Sequence, residues 1–259
     1  MTLAPEWSFS QGDCLVVAHR GASAAVAENT LASFEAAIAA GADAVEFDVR
    51  LTADGHPVVL HDADVSRTTD GSGPVRSMTL EEVRRLRIRG DDGVPVPTLL
   101  ETLELVSGQA GIDIELKNIP GEPDYDPDVA PLVSATLDAL GTAAFSGPVL
   151  VSSFNPLAIA AARDREPRLA TGLLTTEGVE ADVALGFAQG QRHAWVLPAV
   201  DMVEGAGPGF TSRAHDVGMR VGTWVVDDPA RAGALAATGI DAIATNDPAA
   251  VVTAVRDAR

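Results

Sequence analysis

The chain has 259 residues, 46% apolar and 21% charged, a globular composition with ample length to bury one large core. Its 37 acidic against 18 basic side chains give a formal charge of −19, which repels polyanions and argues against nucleic acid or a stably bound anionic membrane as partner. Cys14 is the single cysteine, so an internal disulfide and a thiolate metal cluster are excluded; its place before an apolar run suits a buried, inert thiol.

Met1–Gln11 lacks the basic flank and apolar core of a signal peptide, and no run approaches the roughly 20 apolar residues that span a bilayer. A cytoplasmic location is expected. Leu15–Ala18 then reads as a buried strand. Thr30 can cap a helix that carries Leu31, Phe34, Ala37 and Ile38 on one face and stops at Gly41. Ala44–Leu51 is the next strand, Asp54-Gly55 a turn, and His56–Leu60 a short extended return.

The rhythm breaks at Ala63–Pro97, a polar stretch with one short helix, Leu80–Leu86, which Thr79 caps with help from Glu82. It is too poor in apolar residues for a core of its own and reads as an insertion, about 63–110 at its widest, within one domain. A helix over Thr98–Ser107 follows. Strands are then expected at Gly111–Leu116, Val149–Ser152, Leu169–Leu174, Ala194–Leu197, Arg220–Val225 and Ile240–Ala244. Helices are expected at Asp128–Leu140 (ended by Gly141), Pro156–Arg163, Val179–Ala188, Gly209–Val217, Pro229–Ala237 and Pro248–Asp257.

That makes eight strand-then-helix units, and such alternation implies parallel pairing with right-handed crossovers. The fold class is α/β, and the count points to a closed (β/α)8 TIM barrel with a small insertion after the second strand. An open doubly wound sheet would want a glycine-rich turn after the first strand, where this chain has His-Arg-Gly-Ala-Ser.

Barrel enzymes place their chemistry at the carboxyl ends of the strands. His19 and Arg20 end the first strand, and Glu46 and Asp48 lie near the end of the second. His61 follows the extended return, Glu115 and Lys117 end the next strand, and Trp224 lies near the end of the seventh. Strand side chains alternate faces, so Glu46 and Asp48 point the same way and must be relieved by a cation, a proton or a positive partner. A hard divalent ion on Glu46, Asp48 and Glu115 answers this, with Mg²⁺ or Ca²⁺ favoured and Mn²⁺ compatible; a salt-bridge network with Arg20, Arg50 and Lys117 answers it too.

His19 and His61 suit proton transfer in both directions, although a histidine after an apolar run is also a common structural residue. Arg20 offers planar donors to a phosphate or a carboxylate. Lys117 adds positive charge beside the same oxygens or pairs with Glu115. Trp224 suits an apolar wall for a substrate or a core position. Asn29 is placed to orient a ligand or to cap the first helix. His56, His193 and His215 fall at strand starts or in a helix and receive no role; Glu81-Glu82 and Asp91-Asp92 read as solvated pairs.

These residues stand in an ordered set of motifs: H-R-G at His19–Gly21, E-N-T at Glu28–Thr30, E-x-D at Glu46–Asp48, T-x-D-G at Thr52–Gly55 and H-D at His61–Asp62. R-T-T-D-G-S-G at Arg67–Gly73, P-T-L at Pro97–Leu99, I-E-L-K at Ile114–Lys117, S-S-F at Ser152–Phe154 and T-W-V-V-D at Thr223–Asp227 continue the set. In this order, over nearly the whole chain, they resemble the glycerophosphodiester phosphodiesterases. The resemblance implies a TIM-type barrel with a small insertion after the second strand, and hydrolysis of a small-molecule glycerophosphodiester to sn-glycerol 3-phosphate and an alcohol. It matches Glu46, Asp48 and Glu115 to the family's metal ligands, His19 and His61 to its acid/base pair, and Arg20 to its phosphate contact. Two segments depart from it: Ala-Thr-Asn-Asp-Pro before the last helix, where the family often has T-D-x-P, and Val196-Leu197-Pro198. A lysophospholipase D-type activity, another barrel enzyme using Lys117 as base or Schiff-base former, and a non-catalytic metal-binding barrel are the alternatives. The complete set of two His, one Arg and three carboxylates argues against the last.

Overall fold

The computed structural model describes residues 13–90 and 93–258; the segment Met1–Gln11 and the pair Asp91-Asp92 lie outside the described residues. The chain opens with β1 (Leu15–His19), α1 (Leu31–Ala39) and β2 (Ala44–Leu51). The excursion carries β3 (Pro57–Val59), a 3-10 turn at Val75–Ser77 and α2 (Leu80–Arg85). Then come α3 (Leu99–Val106), β4 (Gly111–Leu116), α4 (Ala130–Ala143), β5 (Val149–Ser153), α5 (Pro156–Arg165), β6 (Ala170–Thr175) and α6 (Ala181–Gly190). The last part runs β7 (Trp195–Pro198), α7 (Val200–Gly205), α8 (Phe210–Asp216), β8 (Arg220–Thr223), α9 (Pro229–Ala236), β9 (Ala242–Thr245) and α10 (Pro248–Asp257).

Eight strands pair in parallel in the order β1-β2-β4-β5-β6-β7-β8-β9, and β9 returns to β1, so the barrel is closed as expected. The ninth strand, β3, pairs antiparallel with β2 outside this ring. Period-two alternation sorts the side chains into two layers. Leu15, Val17, Leu150, Leu174, Trp195 and Leu197 cluster inside the barrel. The residues between them along the strands, such as Val16, Val45, Phe47, Ile112, Ile114 and Val196, pack outward under the helices. Strands buried on both faces read as nearly continuous apolar runs, which is why they were legible in the sequence.

Local chemistry explains the helix starts. Thr30 accepts from the Ser33 amide, and Thr79 and Thr98 each form a reciprocal capping box, with Glu82 and Glu101. The excursion differs from expectation in one respect. Val58, Leu60, Val65, Val75, Val83, Ile88 and Val96 form a small buried cluster of their own. Scattered between positions 58 and 96, these residues show no periodicity in the sequence; only folding gathers them. Leu99, Leu103 and Val106 of α3 pack instead into the layer around the barrel, so α3 fills the place of a barrel helix.

Some boundaries also differ. α4 runs through Gly141 to Ala143 and ends with Ala144 in the left-handed conformation. β8 stops at Thr223 rather than Val225. α7 was not anticipated, because six residues are too few to show a helical period.

Inside the barrel, Leu197 fills the space left by glycines on both neighbouring strands. A Cβ built on Gly172 of β6 would stand 2.8 Å from Leu197 Cδ1, and one on Gly222 of β8 2.7 Å from Cδ2. Gly222→Ala is expected to lower stability by roughly 1–3 kcal/mol through overpacking. Adding Leu197→Ala should return part of that loss, a coupling read by a double-mutant cycle of urea midpoints; additive losses would mean that Leu197 does not set the fit.

Candidate active site

Strand register brings the polar residues together. His19 of β1 stands opposite Glu46 of β2; on β4, Asp113 stands opposite Glu46 and Glu115 opposite Asp48. Ser152 of β5 continues the row beside Glu115. All of these side chains belong to the inward set. All but the fully buried Asp48 line, with Arg20, His61, Lys117, Phe154 and Trp224, a cavity of about 140 Å³ at the carboxyl ends of the strands.

One ligand oxygen from each of Glu46, Asp48 and Glu115 lies within 4.8 Å of the other two. Burial raises the Glu46 carboxyl well above the usual range, and its neighbours Asp48 and Glu115 push it further. Burial likewise lifts Glu115 to about 7, against the pull of Lys117. Asp48 goes the other way: burial opposes its charge, but Lys117, His61 and Arg20 outweigh this and hold it far below the ordinary range. Glu46 Oε1 and Asp48 Oδ1 are buried without a hydrogen-bond partner. Three carboxyl groups gathered in a low-dielectric site, two of them with an oxygen that lacks a hydrogen bond, suit a hard cation, so these residues fit a divalent ion.

The positive residues do not discharge the cluster. Arg20 Nε approaches Asp48 Oδ2 at 3.3 Å and its Nη1 binds Glu28 at 3.0 Å, while Lys117 Nζ binds Glu115 at 2.8 Å and lies 3.5 Å from Asp48. Arg50 turns to Glu122, Asp124 and the His61 carbonyl instead, so the network drawn from sequence with Arg50 does not form. Burial works against the Lys117 charge, yet Glu115 and Asp48 raise its pKa. Lys117 is therefore an ammonium, unsuited to Schiff-base formation.

The loop after β1 is shaped for this. Arg20 and Asn29 both adopt positive φ, 58° and 57°. The Arg20 carbonyl accepts from the Asn29 amide and from Ser33 Oγ, and the Arg20 amide donates to Glu46 at 2.9 Å. Asn29 does not cap α1; its Nδ2 donates to Asp48 Oδ2 at 2.9 Å. Gly21 has φ +81°, and a Cβ there would come within 2.2 Å of Ser33 Oγ. The H-R-G turn thus needs its glycine on both counts.

The two histidines are oriented by different partners. His19 Nδ1 lies 2.8 Å from Asn246 Oδ1. The Asn246 amide is fixed because its Nδ2 donates to Asp227, so Oδ1 faces His19 and Nδ1 must be the donor. His61 Nδ1 lies 2.6 Å from Asp62 Oδ1, again an acceptor. Both rings therefore leave Nε2 for other work, and His19 Nε2 stands 4.0 Å from Glu46. Burial lowers the pKa of both rings, His19 further under Arg20. Asp62 is held at about 2, since hydrogen bonds from Arg67 and His61 outweigh its burial. Arg67 also binds Glu28 at 2.7 Å, so the ion pairs run Arg20–Glu28–Arg67–Asp62–His61 around the rim.

Trp224 donates to the Leu197 carbonyl and meets Phe154 edge-to-face with centroids 5.4 Å apart, forming an apolar wall. The remaining histidines stay away from the cavity: His193 bonds Thr171, His215 pairs with Asp241, and His56 is exposed near Asp54. Sequence reasoning missed Asp113, Asn246 and the Glu28–Arg67 link. Asp113 was within reach, being two residues before Glu115 on one strand face; it is buried, accepts from Ser152 at 2.7 Å, and is raised by burial to about 7.

A closed (β/α)8 barrel with a buried, charge-lined cavity at its strand carboxyl ends defines a barrel enzyme. Residues 19–250 match the glycerophosphoryl diester phosphodiesterase family. A glycerophosphodiester phosphodiesterase of Caldanaerobacter subterraneus subsp. tengcongensis is 33% identical, the match covering 93% of this chain and 98% of that protein. An Oleispira antarctica phosphodiesterase solved in complex with the product sn-glycerol-3-phosphate superimposes with TM-score 0.82 and 28% identity, over 93% of this chain and 96% of that one. A glycerophosphodiester phosphodiesterase from Thermotoga maritima does so with TM-score 0.75 and 26% identity, over 93% and 97%. The chain belongs to the glycerophosphoryl diester phosphodiesterase family, and it is a phosphodiesterase. No helix among the described residues is long and apolar enough to cross a membrane.

The raised carboxyls make a stability prediction for metal-free protein. Asp113 and Glu115 titrate near 7 when folded but near 4 when unfolded, so the folded state holds the extra protons. The stability they contribute is full below about pH 4 and is lost as pH rises through 7. In EDTA these two groups pull the melting temperature down between pH 5 and 8. His19, His61 and His193, whose pKa values are lowered, pull the opposite way. Asp113→Asn should therefore lose less stability than the parent over that range. Added divalent cation should raise the melting temperature most above pH 7, where the carboxylates are charged; equal stabilisation at pH 5 and 8 would contradict the assignment.

Proposed function

We propose that this chain hydrolyses glycerophosphodiesters to sn-glycerol 3-phosphate and an alcohol, with His19 and His61 as the acid/base pair. The observation that carries this is the pair of imidazoles at one cavity, each held by its Nδ1 so that Nε2 is left for proton transfer. The product bound by the Oleispira antarctica relative supports the glycerol phosphate half.

Glu46, Asp48 and Glu115 would hold one divalent cation, Mg²⁺ or Ca²⁺, with Mn²⁺ also suited to all-oxygen ligands. When bound, it supplies positive charge that polarises the phosphoryl group. Arg20 and Lys117 add fixed donors for the phosphate oxygens, in a site where burial strengthens each contact. One histidine takes the nucleophile's proton at Nε2, and the other gives a proton from Nε2 to the leaving alkoxide. Asn246 and Asp62 each accept from Nδ1–H, which leaves Nε2 bare on the ring that acts as base and lets the ring that acts as acid carry its proton there as the imidazolium. Trp224 walls the alcohol side.

His19→Ala and His61→Ala should each lower kcat by about 10²–10⁴-fold with little change in melting temperature. Near-full turnover in either variant would sink the assignment. EDTA should abolish release of glycerol 3-phosphate and divalent cation should restore it; chelator-resistant activity would remove the metal from the reaction.

A further inference from the structure

Arg67 belongs to the polar excursion after β2 and is half-exposed. An exposed arginine paired with carboxylates ordinarily adds little to stability. The way this one is held, and what its partners hold, give it a different part.

The segment that carries it is closed on itself. Val65 and Thr69, two residues to either side, are fully buried. The Thr69 amide and hydroxyl both donate to the Val65 carbonyl, and the Val65 amide donates to the Gly73 carbonyl. Val65 also belongs to the small apolar cluster of the excursion. Residue 67 therefore sits on a fixed turn with its side chain outward.

Its guanidinium grips two carboxylates at once. Nη1 and Nη2 donate to the two oxygens of Glu28, at 2.9 and 2.7 Å. Nε and Nη2 donate to the two oxygens of Asp62, the second at 3.2 Å. A planar fork can do this; the ammonium of a lysine is a single point charge and cannot. Each carboxylate also holds a residue of the cavity: Asp62 Oδ1 takes His61 Nδ1, and Glu28 Oε1 takes Arg20 Nη1. Glu28, Asp62 and Arg67 do not themselves line the cavity, whereas His61 and Arg20 do. Among the described residues, the Asp62 carboxylate bonds only to His61 and Arg67. Without Arg67 it is free to rotate, and His61 loses a fixed acceptor.

We propose that Arg67 is a positioning residue for the reaction: anchored on Glu28, it holds Asp62 so that His61 keeps Nδ1 engaged and Nε2 free, at a set place relative to Arg20. This rests on the role proposed above for His61 and adds the residue that holds it. The small core of the excursion then serves the site by placing Arg67.

The test follows cleavage of a glycerophosphodiester by the metal-supplied protein. Arg67→Ala should lower kcat about 10- to 100-fold and leave KM within about threefold, because Arg67 lies outside the cavity and Arg20 keeps its own carboxylates. Arg67→Lys should be nearly as slow; parent-like turnover with lysine would show that charge alone suffices and would overturn the proposal. Both substitutions fall at a half-exposed position and should move the melting temperature by only a few degrees. In an Asp62→Ala background, Arg67→Ala should cost less than about a further threefold, since the link is already cut. A full second loss there would place the action of Arg67 elsewhere and overturn the proposal. If His61→Ala retains turnover, the acid/base reading itself fails, and the ring is then judged directly by NMR of protein carrying isotope-labelled histidine. The His61 Nδ1–H signal, assigned by its loss in His61→Ala, should be sharp in the parent and lost or broadened in Arg67→Ala. Loss upholds the positioning, and an unchanged signal rejects it.

Discussion

The structure depends on how four buried carboxylates are kept side by side. The pairing of β2 with β4 sets Glu46 against Asp113 and Asp48 against Glu115, with no freedom to separate, because the register also fixes the apolar layer beneath the helices. Like charges at this spacing in a low dielectric are strongly unfavourable. The surroundings answer unequally. Asp48 receives Asn29, Arg20 and Lys117, which hold its pKa low, whereas burial and mutual repulsion raise Glu46, Asp113 and Glu115 above the ordinary carboxyl range. The fold thus gathers Glu46, Asp48 and Glu115 so that they could hold a cation at the strand carboxyl ends.

The excursion after β2 acts on the same site. Arg67 ties Asp62 to Glu28, and through them links His61 to the turn that carries Arg20. Arg50, almost wholly buried, braces the His61 carbonyl while holding Glu122 and Asp124 on the loop beyond β4. Both histidines are therefore anchored through Nδ1, but by different means: Asn246, itself fixed by Asp227, for His19, and a carboxylate–arginine pair for His61. The departure at Asn246 from the pattern common in the family falls on this anchor, so it bears on the orientation of His19. Within one barrel face, a charge-lined cavity and an apolar groove share Phe154 and Leu174 as a common wall.

Most of the barrel was legible because its strands are buried on both faces and its helices are punctuated by Thr caps and glycines. The candidate site was legible where polar residues interrupt apolar runs: His19, Glu46, His61, Glu115 and Lys117 stand out in this way and line the cavity, and Asp48 lies buried beside Glu46 and Glu115. The excursion's small core and the six-residue α7 were not, since neither is long enough to show a period.

The sequence by itself determined the units, their number, and which side chains face inward, because alternation along a strand is a property of the local backbone. It left open whether the acidic pair is met by a cation or by Arg20, Arg50 and Lys117, and what Asn29 and Asn246 do. Those answers depend on distances between residues as far apart as His19 and Asn246, which closure of β9 onto β1 alone brings together. Only the tertiary structure decided that Arg50 faces elsewhere, that Glu46 and Asp48 each keep an oxygen without a hydrogen bond, and that Phe154 opens onto an apolar groove. The physical reason is that pairing and desolvation are pairwise properties of neighbours in space, and a barrel's neighbours come from strands that the sequence lists far apart.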